Sequence, residues 1–257
     1  MMGLLPTMFV LDKNFHCRGE DFIFMLLKQN WSSSKEKGES KKFSSIVMSI
    51  GMLLRTPFLI FLKPGVLKQV LNKCITGASV REVCEYGDSL LVEETSKVFK
   101  KEKDLKKGIA FPTCLSVNNC ICHFSPISSE PDLHLKNDDI VKIDLGAHID
   151  GFIAVVAHTI IVNSSADTKI HGRKADVILA AHYASQAALR LLKPGIETYT
   201  ITETVGQICE SYKCKPVEGM LSHQLKQFKI DGEKTIIQNP NDAQKKEHEK
   251  FTMEMHE

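Results

Sequence analysis

The chain has 257 residues, of which 43% are apolar, 25% are charged and 7% are aromatic. This composition is that of an ordinary globular protein, and it excludes a wholly disordered chain, a collagen-like chain and a membrane protein with many spans. The formal net charge of +2 at pH 7 is too small to mark the whole chain as a general binder of polyanions. One or two globular domains are therefore expected, and their partners must be read from local features.

The first 64 residues differ in character from the rest and are predicted to form a divergent, poorly ordered N-terminal segment, residues 1–64. Residues 31–42 are polar and rich in Ser and Lys, as in a solvated linker. An apolar run begins at Phe43 and ends at Leu62, but Arg55 and Pro57 interrupt it. A charge near the middle of a membrane helix costs about 2.5 to 3.5 kcal/mol on insertion scales, so a membrane span is disfavoured.

The cysteines predict reduced thiols. Eight cysteines are too few for a disulfide scaffold in a chain of this length. The apolar residues 1–11 lack the basic start and the cleavage site of a secretory signal. Cys114, Cys120, Cys122 and His123 are close enough in sequence to suggest a metal cluster. Because no second Cys or His pair follows at zinc-finger spacing, buried thiols in strands are the favoured interpretation.

Two stretches of sequence carry the same order of helix, turn and helix. In the first, a capping box from Ser79 to Glu82 begins an amphipathic helix. In the second, a capping box from Thr200 to Glu203 follows a stop that contains Pro and Gly. The helix before that stop has apolar residues at helical spacing: Val177, Ala181, Ala184, Ala188 and Leu191. The repeated order predicts a duplicated α+β architecture with two similar halves.

Between these stretches, residues 140–147 and 152–162 predict two strands, because they are rich in β-branched and aliphatic side chains. The Asp-Gly pair between them is typical of a type I′ hairpin turn. A two-residue turn fixes the register so that Gly146 lies opposite Val155. Asp144 shares their face, because side chains alternate with period two, and it lies diagonally across from Val155.

Four separated blocks of sequence carry a family resemblance: KGIAFPT at 107–113, NNCICHFSP at 118–126, KIDLG at 142–146 and GMLSHQL at 219–225. On these blocks the chain resembles the methionine aminopeptidase-like, or pita-bread, superfamily, and within it the proliferation-associated branch. The resemblance runs from about residue 65 to residue 257. It implies an α+β pita-bread domain over residues 65–257, C-terminally truncated, with an incomplete second half.

The resemblance also implies which metal ligands of the family this chain keeps and which it lacks. Active members of the superfamily hold two divalent ions with two Asp, one His and two Glu side chains. The first aspartate falls on Asp144, the bridging aspartate on Val155 and the histidine on His223, and both glutamates would follow Glu257. Two ions about 3.5 to 4 Å apart need several oxygen ligands, and valine offers none. The prediction is that no cofactor is bound and that Asp144 and His223 are remnant ligands.

No catalytic residue is expected to remain. His123 matches the histidine that contacts substrate in the peptidases, and it is interpreted as a remnant of that site. Without a metal-bound water it would have no nucleophile to assist. The sequence also contains no Walker-type or dinucleotide-binding glycine loop, so phosphate or hydride transfer has no support.

The strongest local charge feature follows the first amphipathic helix. It consists of Lys97, Lys100, Lys101, Lys103, Lys106 and Lys107, with only Glu102 and Asp104 among them. The favoured interpretation is a solvated helix end, because lysines suit the negative end of the helix dipole and no stacking platform of aromatic residues is interleaved with them. The alternative is an RNA-binding surface whose phosphate contacts come from four of these lysines: Lys100, Lys101, Lys106 and Lys107.

These features predict a non-catalytic interaction protein. By resemblance, it is a growth regulator that binds RNA or ribonucleoprotein and protein partners, without a DNA-binding motif, in the cytoplasm, the nucleus and the nucleolus. The alternative is a metal-dependent methionyl aminopeptidase that acts on peptide N-termini. A third hypothesis, a membrane-anchored accessory protein, depends only on the apolar run at 43–62.

Overall fold

The structure is a computed structural model that describes residues 2–3, 65–165, 169–193 and 195–248. The polar stretch at 31–42 and the apolar run at 43–62 lie outside these ranges. No helix within the described ranges is long and apolar enough to cross a membrane. The helices are α1 (Val66–Lys73), α2 (Val80–Lys97), α3 (Gly172–Leu191), α4 (Thr198–Ser211) and α5 (Asp242–His248). The strands are β1 (Met2–Gly3), β2 (Lys107–Val117), β3 (Ile140–Ile149), β4 (Phe152–Ile161), β5 (Leu221–Gln224) and β6 (Thr235–Ile237).

The first helical pair, α1 and α2, packs on an antiparallel sheet with the strand order β2-β3-β4. The predicted helix start at Ser79 is confirmed, because its hydroxyl caps α2 by accepting a 3.0 Å hydrogen bond from the Glu82 amide. The core between the helices and the sheet is aliphatic and includes the fully buried Leu91, Leu115 and Leu145. Burying each such side chain contributes roughly 1.5 to 3 kcal/mol, which fixes this face of the sheet as the inner one.

The hairpin of β3 and β4 has the predicted register. Its two turn residues have φ of 50° and 76°, as a type I′ turn requires. Gly146 pairs with Val155 and Asp144 pairs with Ala157. Asp144 and Val155 are therefore diagonal neighbours, on the face of the sheet opposite to the one that packs on α2.

Strand β2 pairs with β3 through an irregular register. The pairing shifts between Ile109 and Phe111 and again between Phe111 and Cys114, as at β-bulges. Phe111 consequently lies opposite Gly146, and its ring covers this glycine so closely that a Cβ there would lie 2.2 Å from Phe111 Cε1. Because Gly146 and Asp144 share a face, the ring lies on the same side of the sheet as Asp144.

The second helical pair, α3 and α4, follows the predicted order but not the predicted capping box. Helix α4 begins at Thr198, with Glu197 at its N-cap and no side-chain cap, so the box from Thr200 to Glu203 lies inside the helix. Thr198 is fully buried, and Gly195, with a φ of 77°, turns the chain towards the helix. Tertiary packing thus sets the start of α4, and the cap prediction was wrong.

The buried face of α3 also differs from the predicted one. Ala180, Ala184 and Ala188 pack in the same core cluster as Ile201 of α4, whereas Val177 is 44% exposed. Small residues let the two helix backbones approach, so alanine rather than valine marks the contact. Strands β1, β5 and β6 form a second sheet in the order β1-β5-β6. Each half therefore has two helices followed by antiparallel strands, as the repeated order predicted.

Candidate functional site

One pocket lies on the face of the sheet that carries Asp144. Residues 142–144 of β3 and 157–159 of β4 line it, together with Ser116 of β2 and residues 121–123 of the loop after β2. Its lining includes Ser116, Cys122, His123, Lys142, Asp144 and His158. The fold thus brings together two of the predicted site residues, His123 and Asp144.

Asp144 is the most unusual group in this pocket. It is only 6% exposed, and neither of its carboxylate oxygens has a hydrogen-bond partner among the described residues. Burial raises the pKa of Asp144 from 3.8 to about 7. The nearby Leu145 amide offsets part of this rise without completing a hydrogen bond to either oxygen. The carboxyl group is therefore largely protonated below neutral pH.

The thiols near Asp144 are poor nucleophiles. Burial, and then the charge of Asp144, raise the pKa of Cys114 to about 12. Burial and the neighbouring Cys120 raise the pKa of Cys122. Cys114 is a buried thiol in β2, as predicted, but Cys120 and Cys122 are half-buried in the loop after it. In the parts of the chain that the structure describes, no group of three or more His, Cys, Asp or Glu side chains is arranged to hold a metal ion.

Val155 lies in β4 beside an apolar part of the sheet. Its partner across the hairpin is Gly146, and the Phe111 ring fills the space above that glycine. His223 lies on β5 in the other sheet, where its Nδ1 is 3.4 Å from the Gln224 carbonyl oxygen, and it does not line the pocket. Of the three positions that the sequence resemblance assigns to metal ligands, Asp144 is the one that lines this pocket.

The lysine-rich segment forms a surface loop between α2 and β2. Lys100, Lys101 and Lys106 are exposed, and none of them forms an ion pair with the described residues. Lys107 is half-buried and its ammonium group donates a hydrogen bond to the Val98 carbonyl, which folds the loop back on the end of α2. Lys97 differs, because it pairs with two glutamates of its own helix at 2.7 and 2.6 Å. Three of the four predicted RNA-binding lysines therefore have exposed ammonium groups that are available for binding a ligand.

Comparison with known proteins identifies the family. Residues 63–256 match the family described as metallopeptidase family M24. The chain belongs to family M24. Its α+β architecture is the pita-bread fold of that family, as the resemblance in the sequence implied.

Relatives with 43% to 50% identity include members of the proliferation-associated branch. Proliferation-associated protein A of Dictyostelium discoideum is 50% identical over 179 residues, which cover 70% of this chain and 46% of the relative. ERBB-3 binding protein 1 of Solanum tuberosum is 43% identical over 196 residues, covering 74% and 50% respectively. A solved structure of a thermophilic Arx1 superposes with a TM-score of 0.66 at 29% identity, covering 75% of this chain and 57% of that one. The chain spans about half the length of the curated relatives that it matches.

The described residues of this M24 chain do not fit a pair of metal ions bridged at the hairpin. Asp144 has two unpaired carboxylate oxygens, which suit a cation. The sequence resemblance assigns the bridging ligand to Val155, whose side chain has no donor atom, and the Phe111 ring covers Gly146, its partner across the hairpin. A divalent pair needs a shared ligand to stay within about 4 Å, and the described residues contain no group of three or more side chains that could hold even one ion.

Sequence reasoning missed two contributors to this region. The position of Phe111 was not predicted, because nothing in the sequence shows that two bulges bring its ring over Gly146. His158 lies in β4 and lines the pocket although its side chain alternates with those of Ala157 and Thr159. His158 is a polar residue of the strand next to Asp144, so the predicted hairpin already brought it near. The place of Phe111 over Gly146 can be known only from the three-dimensional register of β2.

Proposed function

We propose that this chain is a non-catalytic M24 protein that binds RNA or ribonucleoprotein and protein partners. The proposal is supported by the hairpin register, which pairs Val155 with Gly146, because the sequence resemblance assigns the bridging carboxylate to position 155. Without a bridging carboxylate, the site has no means of holding two ions and generating a hydroxide nucleophile. Asp144, whose pKa is raised to about 7 by burial, is then a buried carboxyl group in a structural pocket, largely protonated below neutral pH, and not a metal ligand.

The second candidate is a metal-dependent methionyl aminopeptidase. It is favoured by one observation, which is that His123 and Asp144 line the same pocket. It would need a metal-bound water near Asp144, together with ligands that the described residues do not supply. We therefore rank it second.

The binding function is supported by the surface loop between α2 and β2. Lys100, Lys101 and Lys106 project from it without ion pairs to described residues, and phosphate oxygens are the ligands that such exposed ammonium groups attract. The relative named ERBB-3 binding protein 1 supports a protein partner as well. We propose that the chain acts as a growth regulator in the cytoplasm and the nucleus, including the nucleolus.

Replacing Lys100, Lys101, Lys106 and Lys107 by alanine is expected to weaken RNA binding and to flatten its salt dependence. Each phosphate contact contributes about 0.7 to the slope of log K against log salt for a single strand, so the slope should fall by roughly 2 to 3. Binding of a fluorescent oligouridine and of an RNA hairpin would be measured by anisotropy between 50 and 300 mM KCl, about the range in which such slopes are resolved.

A matched control variant carries four alanines at exposed lysines elsewhere on the chain: Lys68, Lys136, Lys193 and Lys215. It changes the net charge by the same amount, so a general electrostatic effect would alter both variants alike. If the two variants show the same salt slope, the surface loop is not the RNA-binding site.

A further inference from the structure

A tight turn from the second half of the chain docks on the tip of the β3–β4 hairpin. Lys226 and Lys229 form an antiparallel bridge, which leaves Gln227 and Phe228 at the tip of the turn. The Phe228 amide donates a 3.0 Å hydrogen bond to the Gly151 carbonyl. The Gln227 side-chain amide donates to the Asp150 carbonyl oxygen at 2.8 Å. These contacts hold the turn in one place on the surface.

Phe228 adopts a backbone conformation in this turn that is rare for phenylalanine. Its φ is 58°, in the left-handed region that favours glycine, so the side chain is held there by its surroundings. The ring lies against Gly151, where a Cβ would be 2.5 Å from Phe228 Cγ. The side chain is nevertheless among the exposed large apolar residues, at 59%. One face of the ring therefore rests on the glycine while the other faces solvent.

The ring lies within a basic surface that continues the lysine-rich loop. The Asp150 amide donates to the Lys106 carbonyl oxygen at 2.6 Å, so this loop meets the same hairpin tip as the turn. Lys226 and Lys229 flank Phe228 and share a single acid, Glu233, at 3.0 and 3.5 Å. Residues 226–234 carry three lysines and two acids, and Lys106 and Asp150 at the hairpin tip add one of each.

We propose that Phe228 is a stacking platform for a base of single-stranded RNA whose phosphates lie on the lysines of the surface loop and of the turn. This assignment rests on the proposed RNA-binding function and extends that surface to the second half of the chain. Exposed aromatic faces beside basic grooves bind unpaired bases with little sequence preference. The flanking lysines favour a polyanion over an apolar protein groove as the occupant of this site.

The assignment is tested with the full chain and two probes, a fluorescent 12-nucleotide oligouridine and an abasic oligonucleotide of the same length, a span of about one binding site. Phe228→Leu retains an apolar contact with Gly151 and the same backbone strain, but it has no aromatic face. It is expected to weaken binding of the oligouridine by roughly 5-fold to 150-fold and to leave binding of the abasic probe unchanged. Phe228→Tyr should bind both probes like the unmodified chain.

Phe228→Gly provides a second control, because glycine adopts a φ of 58° without strain and the turn is preserved. Its loss of oligouridine binding should match that of Phe228→Leu. An equal loss for both probes would mean that the variant displaces the lysines, and would overturn the stacking role. Unchanged oligouridine binding in Phe228→Leu would also overturn it and leave the ring to a protein contact. If the unmodified chain binds neither probe, the proposed RNA-binding function fails together with this assignment.

Discussion

Asp144→Asn is expected to remove most of a pH dependence of stability on the order of 4 kcal/mol. Burial raises the pKa of Asp144 from 3.8 to about 7, so the folded chain holds this proton more tightly than the unfolded chain. The folded state is thus favoured most below pH 4, and this contribution is lost as the pH rises through 7. A pKa difference of this size corresponds to about 4 kcal/mol in the free energy of unfolding.

The measurement is urea unfolding of chelator-treated protein at several pH values from about 4 to 8, the window set by the two pKa values. The free energy of unfolding of Asp144→Asn relative to the unmodified chain should rise steadily across this window. Asp104→Asn serves as the control, because Asp104 is exposed, and its difference from the unmodified chain should stay flat. A flat difference for Asp144→Asn as well would mean that its carboxyl group is neither buried nor unpaired.

Gly146→Ala and Gly206→Ala are expected to change stability in opposite directions. A Cβ at Gly146 would lie 2.2 Å from Phe111 Cε1, so the ring must move, and overpacking of this kind costs about 1 to 3 kcal/mol. Gly206 lies in α4 with nothing within 4 Å of a Cβ, and alanine there should stabilise the helix by about 0.5 to 1 kcal/mol. Thermal and urea unfolding of the two variants would give both signs.

Combining Gly146→Ala with Phe111→Leu tests whether the Phe111 ring causes the loss of stability. Phe111→Leu shortens the side chain above Gly146, so the cost of Gly146→Ala should be smaller in that background. An equal cost in both backgrounds would show that the Phe111 ring does not cover Gly146. The Phe111 ring would then not account for the lack of space beside Val155 and Gly146.

The hairpin could be predicted from sequence because its determinants are local. A two-residue turn leaves one register, and the alternation of side chains then places Asp144 and Val155 on one face. The cap at Ser79 was equally local, since hydroxyl and amide lie three residues apart. The cap at Thr200 failed because burial of Thr198 and the turn at Gly195, which are tertiary features, fix the start of α4.

The pocket at Asp144 and the lysine-rich loop differ in how much of each could be predicted from the sequence. The pocket combines His123 and Asp144, which the family resemblance had singled out, with the Phe111 ring, which depends on bulges that no local pattern announces. The lysine-rich loop was visible as a run of charge. Its aromatic neighbour Phe228 was not, because it lies more than a hundred residues away and reaches the loop only through the hairpin tip.

The most direct test is whether the chain binds a pair of metal ions although Val155 replaces the shared carboxylate. The full chain would be incubated with cobalt or manganese and desalted, its metal content measured by mass spectrometry, and the same sample assayed for methionine release from a methionyl peptide. We expect that no pair of ions is retained and that no methionine is released above the background without protein. Two ions per chain, together with peptide turnover, would contradict it.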